Sequence, residues 1–533
     1  MKQLLQKPLF LALLSGLLLA LSWPTYGFPL LIFFAFIPLF YAEKTLREST
    51  KKIKFKVWFY AYLTFVTWNA ITTWWLYYAS GFGMFFAVLV NALLMSILFL
   101  IYHIVAKRVA PKMALLFFIC LWLSFEKFHL IWDFSWPWLN LGNVFGDYPK
   151  WIQWYEYTGT FGGSLWILIT NVFGFLMVLN WKNTSFKLGI KSFVVRIALC
   201  VAIPIIISLW IYETYEIRGN TKEIILLQPN VDPYTEKYDT PNFYTTKGLL
   251  EQADSLITPN TEFIIAPETV LAESVPFDAF YNSGSRFMMM NYIKKHPKAQ
   301  LLWGIDTYHF VLDRKDVTPS SNIYRDGVWV DFYNAALLIN QKPGFQKYYK
   351  SKLVVGIENL PYKSILEPLL GNVMLDLGGT ISTKTTQKER SVFEANDGVK
   401  VAPIICYESV YGEYVTGYVK NKAAFLAIIT NDAWWHETQG HKQHLTFATL
   451  RAIETRRDVA RSANTGISAF INQKGDIVSR TKYGEKTALL GKVHLNSKMT
   501  FYVICGDFIA YIATFFLCLL TVFLFVKKRK VIY

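Results

Sequence analysis

Cysteine is scarce: five residues in 533, at Cys120, Cys200, Cys406, Cys505 and Cys518. Four of them lie in apolar runs, where a thiol is simply a small hydrophobe. Only Cys406 lies in a stretch of ordinary globular composition. One cysteine there excludes an internal disulfide, and no pair has the spacing of a metal site. The chain also lacks zinc-finger spacing, an Arg/Gly-rich tail, internal repeats and low-complexity tracts. Those absences bear on its net charge of +16, which otherwise suggests nucleic-acid binding. The basic residues instead cluster in short loops beside apolar runs, the pattern of a protein oriented in a bilayer.

What the chain has in excess is apolar surface, 53% of residues against the 45–50% typical of soluble domains. The excess is concentrated at the two ends. A span needs roughly 20 apolar residues, and on that criterion about eight segments qualify, near 8–22, 26–42, 56–79, 82–106, 113–128, 160–181, 193–213 and 502–526. Between the last two, residues 216–500 read as one globular domain of under ~300 residues, large enough for a substantial core.

Loop charges alternate. Lys2 and Lys7 precede the first span, and the next loop, at Trp23-Pro24-Thr25, is uncharged. Lys44, Arg47, Lys51, Lys52, Lys54 and Lys56 follow the second span, and the turn near Ser80 is again uncharged. Lys107, Arg108 and Lys112 follow the fourth. The loop at 129–159 is long and aromatic, and Lys182, Lys187 and Lys191 follow the sixth span. Lys527-Lys528-Arg529-Lys530 lies near the end. This pattern predicts both termini in the cytoplasm and residues 216–500 outside, which in a bacterium with two membranes is the periplasm. The first span also has features of a signal peptide, with Ala20-Leu21-Ser22 as a cleavage site; retention is expected, because Pro24 would follow the cut.

In the outer domain, β-branched runs at 223–227, 262–266, 300–305, 335–339, 399–405, 425–430 and 467–471 alternate with helical stretches at about 242–257, 281–295 and 441–461. This predicts an α/β sheet domain. Three runs end in polar residues. Phe263-Ile264-Ile265-Ala266 ends in Pro267-Glu268, Ala402-Pro403-Ile404-Ile405 in Cys406-Tyr407-Glu408, and Ala427-Ile428-Ile429-Thr430 in Asn431-Asp432-Ala433-Trp434. Catalytic groups in α/β sheets gather at the C-terminal ends of strands. A single strand-end polar group usually just faces solvent, but three in one domain point to function.

A thiol of pKa about 8.5 needs a base or a nearby cation to attack an ester or amide. Glu268 can take the proton. Lys350 can supply positive charge to a developing oxyanion, although most lysines are solvated surface charges. His436, Glu437, His441 and His444 lack His-Glu-x-x-His spacing, so hydrogen-bonding or surface histidines are expected rather than a zinc site. Arg451, Arg456, Arg457 and Arg461 are expected on a solvated or salt-bridged helix face. Trp434 and Trp435 suit lipid contact or core packing about equally, and 365–375 reads either as a mobile arm touching the membrane or as an ordinary loop.

Glu268 after Pro267, Lys350 before an apolar-Gly-x-Glu run, and Cys406-Tyr407-Glu408, in that order, resemble the Glu-Lys-Cys triad of the nitrilase (carbon–nitrogen hydrolase) superfamily. The resemblance tightens to its membrane-embedded branch, apolipoprotein N-acyltransferase. The lysine motif of that family matches at Tyr348, Lys350, Leu353, Val354 and Glu358. Its cysteine motif matches at Cys406, Tyr407 and Glu408, and its Asn-Asp-Ala-Trp motif is whole at Asn431, Asp432, Ala433 and Trp434. A further stretch matches from Gln443 to Gly466. Two places depart: Ala266 stands where the family often has Trp, and Val355-Gly356-Ile357-Glu358 replaces Pro-Phe-Gly-Glu.

The resemblance implies a polytopic α-helical membrane domain (1–214), a nitrilase-like αββα sandwich (215–500), and a last span with a basic tail (501–533). It implies acyl transfer from a phospholipid, with phosphatidylethanolamine the expected donor, to the N-terminal amine of a diacylglyceryl apolipoprotein through a thioester on Cys406. Glu358, Tyr407, Glu408 and Trp434 are expected to support or line the site, and no cofactor or metal is required. The rival readings are a membrane-tethered amidohydrolase with the same triad, and a transporter or receptor with a non-catalytic outer domain. The second is disfavoured by the few ionisable residues in the spans, such as Glu126, Arg196 and Asp507.

Overall fold

The computed structural model describes residues 7–49, 53–180, 186–342, 344–363 and 383–526. The chain divides into two compact units. One comprises Met1–Tyr77, Gly81–Thr214 and Cys505–Tyr533; the other comprises Tyr78–Ser80 and Tyr215–Ile504. The expected arm at 365–375 and the basic tail at 527–530 lie outside the described residues.

The first unit is helical. Among the described residues, five helical segments are long and apolar enough to cross a membrane: Pro29–Ser49, Gly81–Ala106, Tyr155–Leu179, Lys191–Thr214 and Phe508–Val526. Helices Pro8–Leu21, Lys54–Thr73 and Pro111–Phe128 occupy the other three expected positions without meeting that standard. The first is only 14 residues long. Lysines dilute the second, and Lys112, Glu126 and Lys127 the third. Small residues let these helices approach closely. A Cβ at Gly16 would lie 2.5 Å from the Thr64 carbonyl oxygen, and the Thr64 hydroxyl donates to the Ala12 carbonyl at 2.8 Å. Aromatic rings fill the interior, with Phe40 edge-on to Phe118 at 5.1 Å and Phe36 edge-on to Trp122 at 5.1 Å.

These helices bury more ionisable groups than the sequence suggests. The Glu43 carboxylate meets both the His103 ring and the Arg47 guanidinium, and Lys127 pairs with Asp507 at 2.9 Å. Each is paired, as the cost of a bare buried charge requires.

The described residues of the second unit form fourteen strands: β1 (Thr221–Gln228), β2 (Thr261–Ile265), β3 (Leu271–Pro276), β4 (Gln300–Val311), β5 (Asn322–Arg325), β6 (Val328–Ile339), β7 (Gln346–Tyr349), β8 (Phe393–Glu394), β9 (Lys400–Ile405), β10 (Phe425–Thr430), β11 (Val459–Ala463), β12 (Ala469–Ile471), β13 (Ile477–Arg480) and β14 (Thr487–His494). They form two sheets. The first runs β14-β1-β2-β4-β6-β5, with β3 beside β4 and β7 beside β6; the second runs β13-β12-β11-β10-β9-β8.

Strict alternation explains the layering. Ile224, Leu226, Phe263, Ile265, Leu302, Ala336 and Leu338 face the second sheet and share one core with Ala402, Ile404, Ala427 and Ile429. Their neighbours Ile225, Leu227, Ile264, Leu301, Trp303, Leu337 and Ile339 share the other core with Leu249, Leu250, Met289 and Ile293 of helices Asn242–Asp254 and Gly284–Lys295. Helices Gly412–Lys420 and Gln439–Thr455 supply Val415, Tyr418, Leu445 and Ala448 to the core of the second sheet. The result is four layers, αββα. Strands buried on both faces read as unbroken apolar runs, and each fully buried Ile or Leu contributes about 1.5–3 kcal/mol.

One expected helix is shorter than its sequence suggests. The stretch 441–461 stops at Thr455, where Arg456 turns left-handed with φ +50°. Residues from Val459 then enter the second sheet as β11, parallel to β10. Arg457 and Arg461 therefore do not lie on a helix.

Candidate active site

Four polar segments meet where parallel strands end. Glu268 follows β2, Cys406 follows β9 directly, and Asn431 follows β10 directly. Lys350 follows β7, which runs antiparallel to β6 and so ends on the same side as β2 and β4. All four residues are at least nine-tenths buried.

Lys350 lies between two acids. Its Nζ is 2.7 Å from Glu268 Oε1 and 2.8 Å from Glu358 Oε2. Burial alone would depress the ammonium, but Glu268, Glu358 and Cys406 together hold it well above the usual lysine range. Glu268 shows the converse. Burial favours its neutral form, yet Lys350 first, then Lys237 and the Asn334 amide, keep its carboxyl below the usual range. Its second oxygen accepts the Asn431 backbone N–H at 3.2 Å. Glu268 is thus an ionised acceptor held at both oxygens. The Cys406 thiol is pushed up by burial and by the Glu268 charge, with Lys350 opposing. A protonated thiol beside an ionised carboxylate is the arrangement from which proton transfer yields a thiolate.

Cys406 occupies the left-handed region at φ +49°, a conformation that costs a non-glycine residue of order 1 kcal/mol. The short turn Cys406–Val410 holds it there. The Ser409 hydroxyl donates to the Cys406 carbonyl at 2.7 Å, and the Ile405 N–H donates to Glu408 Oε2 at 2.9 Å.

Glu408 was expected among the groups supporting or lining the site. It is fully buried and acts as a tie between segments. Its Oε1 accepts the Tyr348 hydroxyl at 2.6 Å, the Tyr414 hydroxyl at 2.7 Å and the Ser351 N–H at 2.7 Å. Tyr348 and Ser351 bracket Lys350, so one carboxylate ties the cysteine turn to the lysine strand. Tyr407 is buried and packs edge-on to Tyr411 at 5.3 Å. Trp434 is half-buried, its ring edge-on to Tyr234 at 5.3 Å. The glycine that sits one place off the family pattern, Gly356, adopts φ +79° within the turn that returns the chain to Glu358. The Val354 N–H donates to Glu358 Oε2 at 2.9 Å.

Asn334 was missed by the sequence reading. Its side-chain amide nitrogen donates to Glu268 Oε1 at 2.8 Å and to Glu358 Oε1 at 3.0 Å, and its backbone carbonyl accepts the Lys350 backbone N–H at 2.8 Å. Just ahead of the strand-like run 335–339 it carries no signal, since a buried asparagine and a surface one look alike in sequence. Lys237 was missed for the same reason.

Of the two expectations for the arginines, a solvated or a salt-bridged face, burial rules out the solvated one, and His441 and His444 are hydrogen-bonded as one of their expected readings has it. Arg451, Arg456, Arg457 and Arg461 are all nearly inaccessible. Arg461 pairs with Asp432 at 2.6 Å, and Asp432 also accepts from His444 Nδ1 at 2.9 Å. On its other side, His444 Nε2 lies 3.1 Å from the Ser409 hydroxyl, which holds Cys406. Arg451 donates to the Val410 carbonyl at 2.8 Å and pairs with Glu454 at 2.7 Å. Arg457 donates to the Ala423 carbonyl at 2.8 Å, and Arg456 to the Gln473 carbonyl at 3.1 Å. The fixed fork of the guanidinium suits it to collecting carbonyls of irregular backbone. Among the described residues, no cluster of His, Cys, Asp and Glu has a metal-holding arrangement.

Two family profiles match the chain: Apolipoprotein N-acyltransferase N-terminal domain over residues 15–173, and Carbon-nitrogen hydrolase over residues 318–498. Curated relatives align over nearly the full length. The apolipoprotein N-acyltransferase of Chlorobaculum tepidum is 29% identical over 99% of this chain and 98% of its own. That of Haemophilus influenzae is 25% identical over 97% and 95%. Among solved structures, an amidase from Nesterenkonia sp. covers 55% of this chain and 97% of its own, at 15% identity and a TM-score of 0.37. That superposition is too loose to bear on function.

Proposed function

We infer that this chain is an apolipoprotein N-acyltransferase and moves a fatty acyl group from a phospholipid to the N-terminal amine of a diacylglyceryl-modified lipoprotein. One observation carries the reading: Lys350 is buried between Glu268 and Glu358, at the strand ends where Cys406 stands in a held left-handed turn. Glu268 takes the thiol proton and Cys406 attacks the donor ester. Lys350, with a backbone N–H, stabilises the oxyanion. Collapse breaks the ester C–O bond; the leaving lysophospholipid oxygen takes the proton back from Glu268, which is ionised again, and a thioester remains on Cys406. The acceptor amine then attacks the thioester, Glu268 takes its proton, and the thiolate leaves. Two half-reactions through one covalent intermediate give ping-pong kinetics.

Glu358 and Glu408 serve this chemistry through Lys350 and the cysteine turn, and Tyr407 and Trp434 lie on segments that flank it. Phosphatidylethanolamine is the proposed donor. The proposed orientation has both termini cytoplasmic and the catalytic domain, residues 215–500, in the periplasm; the alternation of basic and uncharged loops supports it. Residues 1–214 and the segment from 501 form the membrane part.

The test supplies purified full-length protein with labelled phospholipid and a diacylglyceryl peptide. Label in the peptide N-terminal amide, dependent on that amine, supports transfer. Release of free fatty acid at the same rate without any amine points instead to a hydrolase using the same triad.

A further inference from the structure

Lys237 takes no part in the steps above, yet it is 95% buried beside them. It lies between β1 and helix Asn242–Asp254. Its Nζ donates to the Thr269 hydroxyl at 2.6 Å and reaches the Glu268 carbonyl oxygen at 3.4 Å. Two features of this contact are unusual. Thr269 is β-branched and sits at φ +42°, a conformation that is a genuine outlier for such a residue. It therefore needs outside contacts to persist. Gly304 supplies one of them. A Cβ there would lie 2.4 Å from the Thr269 nitrogen and 2.5 Å from the Pro267 carbonyl oxygen, so β4 presses directly on the turn that carries Glu268. Lys237 supplies the contact to the side chain.

The second feature is charge. Glu268 and Glu358 share Lys350, which leaves one negative charge unbalanced in a buried cluster. The neighbouring acid, Asp306, is already held by Lys384 at 2.8 Å. Lys237 is the cation that brings the cluster to neutrality, and buried charge without a counter-charge is costly. The ionisable groups within electrostatic reach of Lys237 are Glu268, Asp306, Cys406 and Lys350, and the Tyr238 ring lies 5.7 Å away.

We propose that Lys237 is a positioning residue for the general base. It holds the Glu268–Thr269 turn in its left-handed form and supplies the second positive charge that keeps Glu268 ionised beside Cys406. The role rests on Glu268 being the base, as read above. Burial lowers the Lys237 ammonium to about 8, with Glu268, Asp306 and Cys406 opposing. The charge it lends is therefore present at neutral pH and fades above that value.

The rate at which iodoacetamide alkylates Cys406, followed at that peptide by mass spectrometry from about pH 5 to 9, tests this without any lipid substrate. In the full-length protein, Lys237→Met removes the charge at similar bulk. It should slow alkylation about tenfold at neutral pH and move the profile to higher pH, because both Glu268 and the thiol become harder to ionise. Lys237→Arg should return the rate to within about threefold of the parent. A parent-like profile for Lys237→Met, or equal losses in both variants, would overturn the proposal. Glu268→Gln separates the two readings. If it alkylates like the parent, the base assignment itself fails; if it is slow while Lys237→Met is parent-like, only the role of Lys237 fails. Should Lys237→Met not fold, Thr269→Ala decides. It keeps the charge but loses the anchor, and should slow alkylation about threefold; a parent-like rate overturns the proposal.

Discussion

Lys350 Nζ stands 2.7 Å from Glu268 Oε1 in a site with almost no solvent access, and the two groups fix each other's ionisation. Lys350→Met leaves Glu268 and Glu358 facing each other without that cation, so they share a proton and the base is lost. The expected outcome is a fall in acyl-enzyme formation of at least about a hundredfold. Lys350→Arg should recover little of it, because a planar fork does not reproduce a point charge between two carboxylates. Single-turnover labelling of Cys406 measures both variants.

Gly304 is required by proximity. Gly304→Ala places a methyl group against backbone atoms of Pro267, Glu268 and Thr269 at 2.4–2.8 Å, and backbone cannot yield as a flexible side chain can. The turn carrying Glu268 must shift. Acylation should fall by about tenfold or more, while the β4–β6 pairing that frames the position keeps the protein folded. Comparing acylation rate with the thermal midpoint separates the two effects.

Glu408 ties the cysteine turn to the lysine strand through buried partners. Glu408→Ala strips the Tyr348, Tyr414 and Tyr418 hydroxyls and two backbone N–H groups of their acceptor. The expected loss is about 3–5 kcal/mol of stability, read as a lower midpoint in thermal unfolding. Glu408→Gln keeps an acceptor oxygen and should lose less.

Asp432 gives a pH signature. Burial would raise its carboxyl, but Arg461 and His444 hold it well below the usual carboxylate range. A group depressed in the folded state adds stability above its unfolded pKa of about 3.9, and that stability is lost as the pH falls through the folded value. Asp432→Asn should therefore unfold about 3 kcal/mol more easily at neutral pH. The gap between variant and parent should close as the pH falls below about 4, which unfolding titrations at several pH values would show.

The sequence made the central strands and their polar ends legible because buried parallel strands are apolar throughout and short. Glu268, Cys406 and Asn431 each follow such a run. Edge strands were harder to read. β13 and β14 carry polar residues on both faces, and β14 joins β1 across about half of the chain length. The arginines from Arg451 to Arg461 were read as solvated or salt-bridged because charge in sequence gives no sign of depth; they are buried by the carbonyls of loops that nothing local identifies. Asn334 and Lys237 escaped for a related reason. Their importance lies in what they touch, and those contacts join residues far apart in the chain.

The most direct test of the central assignment is the covalent state of Cys406. Purified protein incubated with acyl-labelled phospholipid and no acceptor should accumulate a hydroxylamine-sensitive adduct that maps to the Cys406 peptide, and adding a diacylglyceryl peptide should discharge it. Cys406→Ala should show no such adduct. A hydroxylamine-sensitive adduct that persists in Cys406→Ala, or that maps to another residue in the parent protein, would contradict the assignment.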